Sequence, residues 1–202
     1  GVESAGAKHP TVTALRFYTD FAQPTKEVYA WNDKMGDALD AFTRGQAVFY
    51  FGFAYDYPKI KSRAPQLNIE VMPMLQLNEK APANIANYWL ETVVKKSKHQ
   101  NEAWDFVMFM VKPENIKKYC EATIHPTPLR SQINDQKKNA AIAPFADQVL
   151  NAENWYRGKN SATVEKAFAD LIINHLLSTA GEQKQTDSAL LKYAAQVIQQ
   201  TM

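Results

Sequence analysis

Residues 38–60 read ALDAFTRGQAVFYFGFAYDYPKI, and this stretch decides the fold class. With Met35 just ahead of it, Ala38, Leu39 and Phe42 recur at helical spacing, and Gly45 is placed to end that helix as a left-handed cap. The period then changes. Gln46–Phe51, QAVFYF, is β-branched and aromatic, too short for a helix and apolar on both faces, which is the pattern of a strand buried between layers. Gly52 punctuates it, and Phe53–Ser62, with Tyr55, Tyr57 and Ile60, reads as a short helix.

Working outward, Val12, Leu15, Phe17, Tyr18 and Phe21 predict a helix over 10–22, with Pro10 suited to its first turn. On the other side, Leu67–Met72 alternates apolar and polar as a second strand between Pro65 and Pro73. Gln76–Ala86 lacks periodicity and contains Pro82, so it reads as a connector, after which Tyr88–Val94 resumes strand character. Asn101–Val111 is amphipathic, and Pro113 opens another helix ending near Thr123. The two prolines of IHPTPLRSQ forbid both helix and central strand, so Ile124–Ser131 is an extended crossing or turn. The remainder is helical: Ala141–Leu150, then a face of Val164, Ala167, Phe168, Leu171, Ile172 and His175, then, after Gly181, Ala189, Leu190, Tyr193, Ala194, Val197 and Ile198.

The bulk numbers exclude several classes. With 46% apolar and 22% charged residues over 202 positions, the chain has the composition of a globular protein able to bury a core. A net charge of +2 provides no field that would gather nucleic acid or anionic lipid, and the lysines at 95, 96, 98, 137 and 138 lie among polar residues without interleaved aromatics. Cys120 is the single cysteine, so there is neither an internal disulfide nor a cysteine metal cluster. The amino terminus GVESAGAKHP shows no hydrophobic leader.

No catalytic or metal centre can be nominated. The seven glycines form no phosphate-binding pattern, and His9, His99, His125 and His175 are scattered without a carboxylate at metal-ligand spacing. His175 reads as a core histidine, and His125, ahead of Pro126, as one that hydrogen-bonds locally. The acidic pairs Asp37 with Asp40 and Glu114 with Glu121 read as solvent faces, and no cofactor is implied.

Aromatic residues stand out instead, in three groups: Phe53, Tyr55 and Tyr57 after the first strand, Tyr88 and Trp89 after the connector, and Trp155 with Tyr156 beside Arg157 in the polar stretch ENWYRGKN. A flat ring covers the C–H face of a sugar while its phenol or indole offers a polar handle. Strand ends in layered proteins also hold aromatic core residues, so packing is the competing reading for each of them.

Together these pieces resemble the family 1 extracellular solute-binding proteins, the maltodextrin-binding-protein-like group. The quoted stretch is similar to that family's helix, Gly, buried strand, Gly and aromatic-bearing segment. NIEVMPM, YWLETVVKKSKHQNEAWDFVMFMV and IHPTPLRSQ follow in the family's order, and two closing helices complete the match. Where the family often has glycines near the strand at Tyr88, this chain has Asn87, Tyr88 and Trp89.

The resemblance implies an α/β, periplasmic-binding-protein-like type II fold. The chain would be its carboxyl-terminal half: a helix-rich carboxyl-terminal lobe plus a segment of the amino-terminal lobe. On that pattern 1–82 is the first part of the carboxyl-terminal lobe, 83–126 returns to the amino-terminal lobe between hinge crossings, and 127–202 closes the carboxyl-terminal lobe. The resemblance also implies an extracytoplasmic protein, periplasmic or lipid-anchored, monomeric when full-length. It would capture a sugar-like solute without changing it and deliver it to an ABC transporter permease, with Phe53, Tyr55, Asn87, Tyr88, Trp89, Trp155 and Tyr156 lining the ligand. Two other classes compete: a helical interaction module that docks a protein through exposed aromatics, and a carbohydrate-active enzyme, which would need two opposed carboxylates.

Overall fold

A computed structural model describes residues 9–32 and 34–202. Residues 1–8, in which no hydrophobic leader was read, and residue 33 lie outside the described residues. In chain order the elements are α1 (Pro10–Asp20), α2 (Ala38–Thr43), α3 (Asp56–Arg63), β1 (Asn84–Ile85), α4 (Gln100–Met110), α5 (Pro113–Thr123), a 3-10 turn at Arg130–Gln132, α6 (Ile133–Gln136), α7 (Ala143–Gln148), a 3-10 turn at Val149–Asn151, β2 (Ala152–Glu153), α8 (Ser161–Thr179) and α9 (Asp187–Gln199).

Four of the described helices, α1, α2, α8 and α9, begin where a polar side chain satisfies an orphan backbone N–H. Asp37 accepts from the Asp40 amide, Asn160 from Thr163 and Thr186 from Ala189. At His9 the imidazole Nδ1 performs that task for Thr11, ahead of Pro10 in the first turn. Gly45 and Gly181 follow helix ends at φ of 72° and 82°, the left-handed region that a Cβ disfavours.

The chain divides into two compact units. One consists of the described residues up to Gly36 together with Tyr156–Met202. Here α1, α8 and α9 pack around Val12, Leu15, Leu171, Leu190, Leu191 and Ala194. The helical faces read from sequence at Val164, Ala167, Leu171 and His175 are buried, whereas Phe168 turns outward. His175 is only 2% exposed, and its Nδ1 lies 3.0 Å from Asp187 in a close electrostatic contact without hydrogen-bond alignment. Asp187 also receives Arg16 Nε at 2.6 Å, so one carboxylate joins all three helices.

The second unit is Asp37–Trp155 and holds α2 to α7 with both strands. The sequence expectations fail here in one consistent way: the helices form and the long strands do not. Gln46–Phe51 is irregular, with Val48 85% and Phe49 75% exposed. Leu67–Met72 is extended, and its burial alternates with period two, yet it pairs with no strand among the described residues. Tyr88–Val94 is exposed along most of its length. A strand needs a neighbour to take up its N–H and C=O groups, and none is present for these runs.

The one parallel ladder among the described residues arises where no strand was expected, between the end of the connector and the residues after the second 3-10 turn. Asn84 pairs with Ala152 and Ile85 with Glu153, and the Ala86 amide continues the register to Glu153 O at 2.9 Å. The crossing after α5 has neither helix nor strand from His125 to Leu129, as the prolines require, but Ile124 is left-handed and Arg130–Ser131, expected to be part of the crossing, belong to the 3-10 turn. Thr127 is buried there, donating its amide to Gln136 Oε1 at 2.8 Å and its hydroxyl to Gln132 Oε1 at 3.1 Å.

Replacing Leu171 by Ala should lower stability by about 2–5 kcal/mol, the range for emptying a packed leucine site. Ile173→Ala, on the outer side of the same helix, should cost no more than about 0.5 kcal/mol. Urea unfolding followed by circular dichroism distinguishes the two; equal losses would overturn this assignment of the core face of α8.

Candidate functional site

Both aromatic groupings with ligand-like exposure lie in the Asp37–Trp155 unit. The first is built at the amino end of α3. Gly52 leaves room for the Tyr50 ring, which a Cβ at that position would overlap. Tyr50 thereby reaches Asp56, donating its hydroxyl to Oδ2 at 3.1 Å, while the Phe53 amide donates to the same oxygen at 3.3 Å and Lys59 Nζ to Oδ1 at 3.0 Å. Asp56 is buried, so these donors replace its lost hydration. The turn that results stacks Phe53 on Tyr55, centroids 5.5 Å apart at 19°.

The row continues into the crossing segment. Tyr55 lies 6.4 Å from the His125 ring at 27°, and His125 lies 6.0 Å from Tyr119 at 39°. Lys59 Nζ stands 4.4 Å from the Tyr55 centroid, at cation–π distance. Phe53 and Tyr55 were legible as candidates. Tyr119, Lys59 and the placement of His125 beside Tyr55 were not; Pro126 was the one local signal, since it forces an extended backbone that carries the imidazole away from α5.

The second grouping forms at the carboxyl ends of β1 and β2, where parallel α/β sheets offer ligands a crevice. The pairing brings Tyr88 to β2, its hydroxyl 3.5 Å from Ala152 O, and Trp155 leaves the same end of the ladder two residues beyond Glu153. Trp89 is 82% exposed, and Asn87 is exposed beside it. Tyr57 is half-buried on α3.

Tyr156 is placed differently, in the other unit. Its hydroxyl accepts from the Asn160 amide at 2.8 Å and donates to Thr201 O at 3.2 Å. A side chain at Gly158 would overlap its ring, so the phenol locks the turn into α8.

Two titratable groups of the Asp37–Trp155 unit are displaced. Burial, then the charge and hydrogen bond of Asp56, push the Tyr50 phenol up to about 12. Burial likewise raises the Cys120 thiol, keeping it in the unreactive form. Beside Cys120 lies a cavity of about 330 Å³ lined also by Lys117, Glu121, Gln132, Gln136 and Ile142. Both glutamine amides there are engaged, Gln132 Nε2 to Pro113 O and Gln136 Nε2 to His125 O. Among the described residues no three of His, Cys, Asp or Glu gather as a metal site, and no helix is long and apolar enough to cross a membrane. The two groupings present flat aromatic surface with a few oriented hydrogen-bonding groups.

Compared with known families, the chain matches the model for bacterial extracellular solute-binding proteins over residues 2–141. A comparison with curated proteins finds no match.

The Tyr50–Asp56 contact has a measurable consequence. The folded phenol keeps its proton to about 12 while an unfolded one loses it near 10.0, so above 10.0 the unfolded chain binds fewer protons and is favoured as pH rises. The stabilisation is complete below that lower value and lost across the interval. Urea midpoints measured through that alkaline window should fall for the native chain and fall less for Tyr50→Phe; parallel curves would contradict the contact.

Proposed function

Because this chain belongs to the bacterial extracellular solute-binding proteins, we propose that it captures a sugar or oligosaccharide outside the cytoplasm and passes it unchanged to an ABC-type import permease. The observation that carries the reading is the pairing of β1 with β2, which brings Tyr88 and Trp155 to one end of a parallel ladder beside the exposed Trp89. In this reading Tyr88, Trp89 and Trp155 cover sugar faces, Asn87 bonds to hydroxyls, and Phe53 with Tyr55 supplies a second platform. Tyr156 contributes by holding the chain that follows Trp155.

Energetics favour capture on such platforms. Micromolar affinity requires about 8 kcal/mol, whereas one hydrogen bond contributes only about 0.5–1.5 kcal/mol net, so burial against rings has to provide much of the total. Nothing in that arrangement calls for a bond of the solute to break.

The proposal extends to the whole protein. Residues 1–82 and 127–202 belong to a carboxyl-terminal lobe of a type II binding fold, 83–126 returns to the amino-terminal lobe, and the crossings act as hinges that close on ligand. The full-length protein is monomeric and periplasmic or lipid-anchored. The exposed runs at Val48–Phe51 and Tyr88–Val94 support this, because their period and composition suit strands covered by a sheet. A protein-docking module is the second reading, favoured by the outward Trp104, Phe106 and Phe109 of α4.

Calorimetric titration of the full chain with a panel of neutral mono- and disaccharides tests the proposal. Trp89→Ala and Trp155→Ala should each weaken the best ligand about tenfold, the equivalent of ~1.4 kcal/mol of stacking. Unchanged affinity removes both residues from the site. Failure of the whole panel to bind native protein overturns sugar capture.

A further inference from the structure

We infer that His125 Nε2 is a hydroxyl-reading acceptor for the captured solute, set within the row Phe53, Tyr55, His125 and Tyr119; the inference rests on the sugar-binding reading and names a new contact in it. The tautomer follows from one neighbour. His125 Nδ1 lies 3.0 Å from Thr123 O, and a carbonyl oxygen can only accept, so Nδ1 carries the hydrogen. In the neutral ring Nε2 is then a bare lone pair. Among the described residues the ring's hydrogen bond is the one at Nδ1, and none reaches Nε2.

The imidazole is held as a binding group is held. Its backbone N–H donates to Cys120 O at 3.1 Å, and its carbonyl accepts from Gln136 Nε2 at 2.8 Å. The residue before it, Ile124, has φ of 54°. A β-branched side chain rarely adopts that conformation, and such strain persists where the surroundings enforce it, characteristically at ligand-binding positions. The effect is to turn the chain out of α5 so that the ring enters the row between Tyr55 and Tyr119.

Ligand class follows from the charges nearby. Lys59, the cation over Tyr55, is balanced by the buried Asp56 carboxylate at 3.0 Å, so it leaves no surplus positive charge for an anion. An acceptor nitrogen between flat rings instead fits a neutral polyhydroxylated molecule, whose hydroxyl donates to Nε2 while a C–H face lies on Tyr55 or Tyr119. Tyr119 and Phe53 are exposed and the imidazole half-buried, so such a molecule can reach the row.

The test uses the full chain and the tightest member of a neutral mono- and disaccharide panel that includes maltose. His125→Phe keeps a ring in the row and removes the acceptor; it should weaken binding about tenfold, as expected for one hydrogen bond of ~1.4 kcal/mol. His125→Gln, whose carbonyl can accept, should recover most of the loss. Nitrogen NMR of the imidazole should show Nε2, not Nδ1, shifting as the sugar saturates the protein, and thermal melts of both variants report whether the fold is kept. Sugar binding to native protein with a silent Nε2, or equal affinity in a folded His125→Phe, overturns this inference and leaves sugar capture standing. If no member of the panel binds the native protein, both fall together.

Discussion

Four residues in parallel register hold the candidate site together. Asn84 and Ile85 against Ala152 and Glu153 form the only ladder among the described residues, and without it Tyr88 would have no reason to reach the strand that leads into Trp155. So short a pair is marginal by itself. It is reinforced from the side by Gln76, whose Oε1 accepts from the Ala83 amide at 2.8 Å while its Nε2 donates to Asn84 Oδ1 at 3.0 Å and to Met74 O at 3.1 Å. One side chain thus fixes the approach to β1 before any strand neighbour acts.

The same device recurs at the crossing after α5. Gln136 accepts from the Thr127 amide and donates to the His125 carbonyl, and Gln132 accepts from the Thr127 hydroxyl and donates to Pro113 O. A carboxamide carries a donor and an acceptor at one end of a flexible stem, so it can imitate one rung of a sheet. Three glutamines therefore position extended backbone that the two-stranded ladder is too short to reach. Residues that look like ordinary surface polarity in the sequence bear directly on where the aromatic side chains stand.

That distinction explains what could be read in advance. Helices satisfy their own backbone within four residues, so the apolar spacing of α1, α8 and α9 was visible locally, as was Gly45 at the end of α2. Strand formation depends on a partner elsewhere in the chain. QAVFYF has every local property of a buried strand and is nevertheless exposed, while Asn84–Ile85 and Ala152–Glu153 have no strand signature and pair. At the candidate site, the composition of Phe53, Tyr55, Tyr88, Trp89 and Trp155 was enough to single them out. The role of His125 was hidden because it depends on which carbonyl meets Nδ1, and Tyr156 misleads because its neighbours are polar while its hydroxyl is engaged with backbone at both ends.

The balance between rings and polar groups also bears on how selectivity can arise. Covering apolar surface yields about 2.5 kcal/mol per 100 Å² whatever sugar supplies the cover, so stacking platforms give affinity with little discrimination. The charged groups near the first platform are already matched to one another, Lys59 with Asp56 and Asp56 with Tyr50. A ligand gains little by competing for them, because each exchange would break a bond of similar strength. Discrimination must come from polar atoms that are oriented yet unmatched, and orientation without a partner has to be enforced by the fold. The left-handed turn at Ile124, the glutamine clamp on the His125 carbonyl and the Thr123 carbonyl at Nδ1 together impose that condition on one imidazole nitrogen.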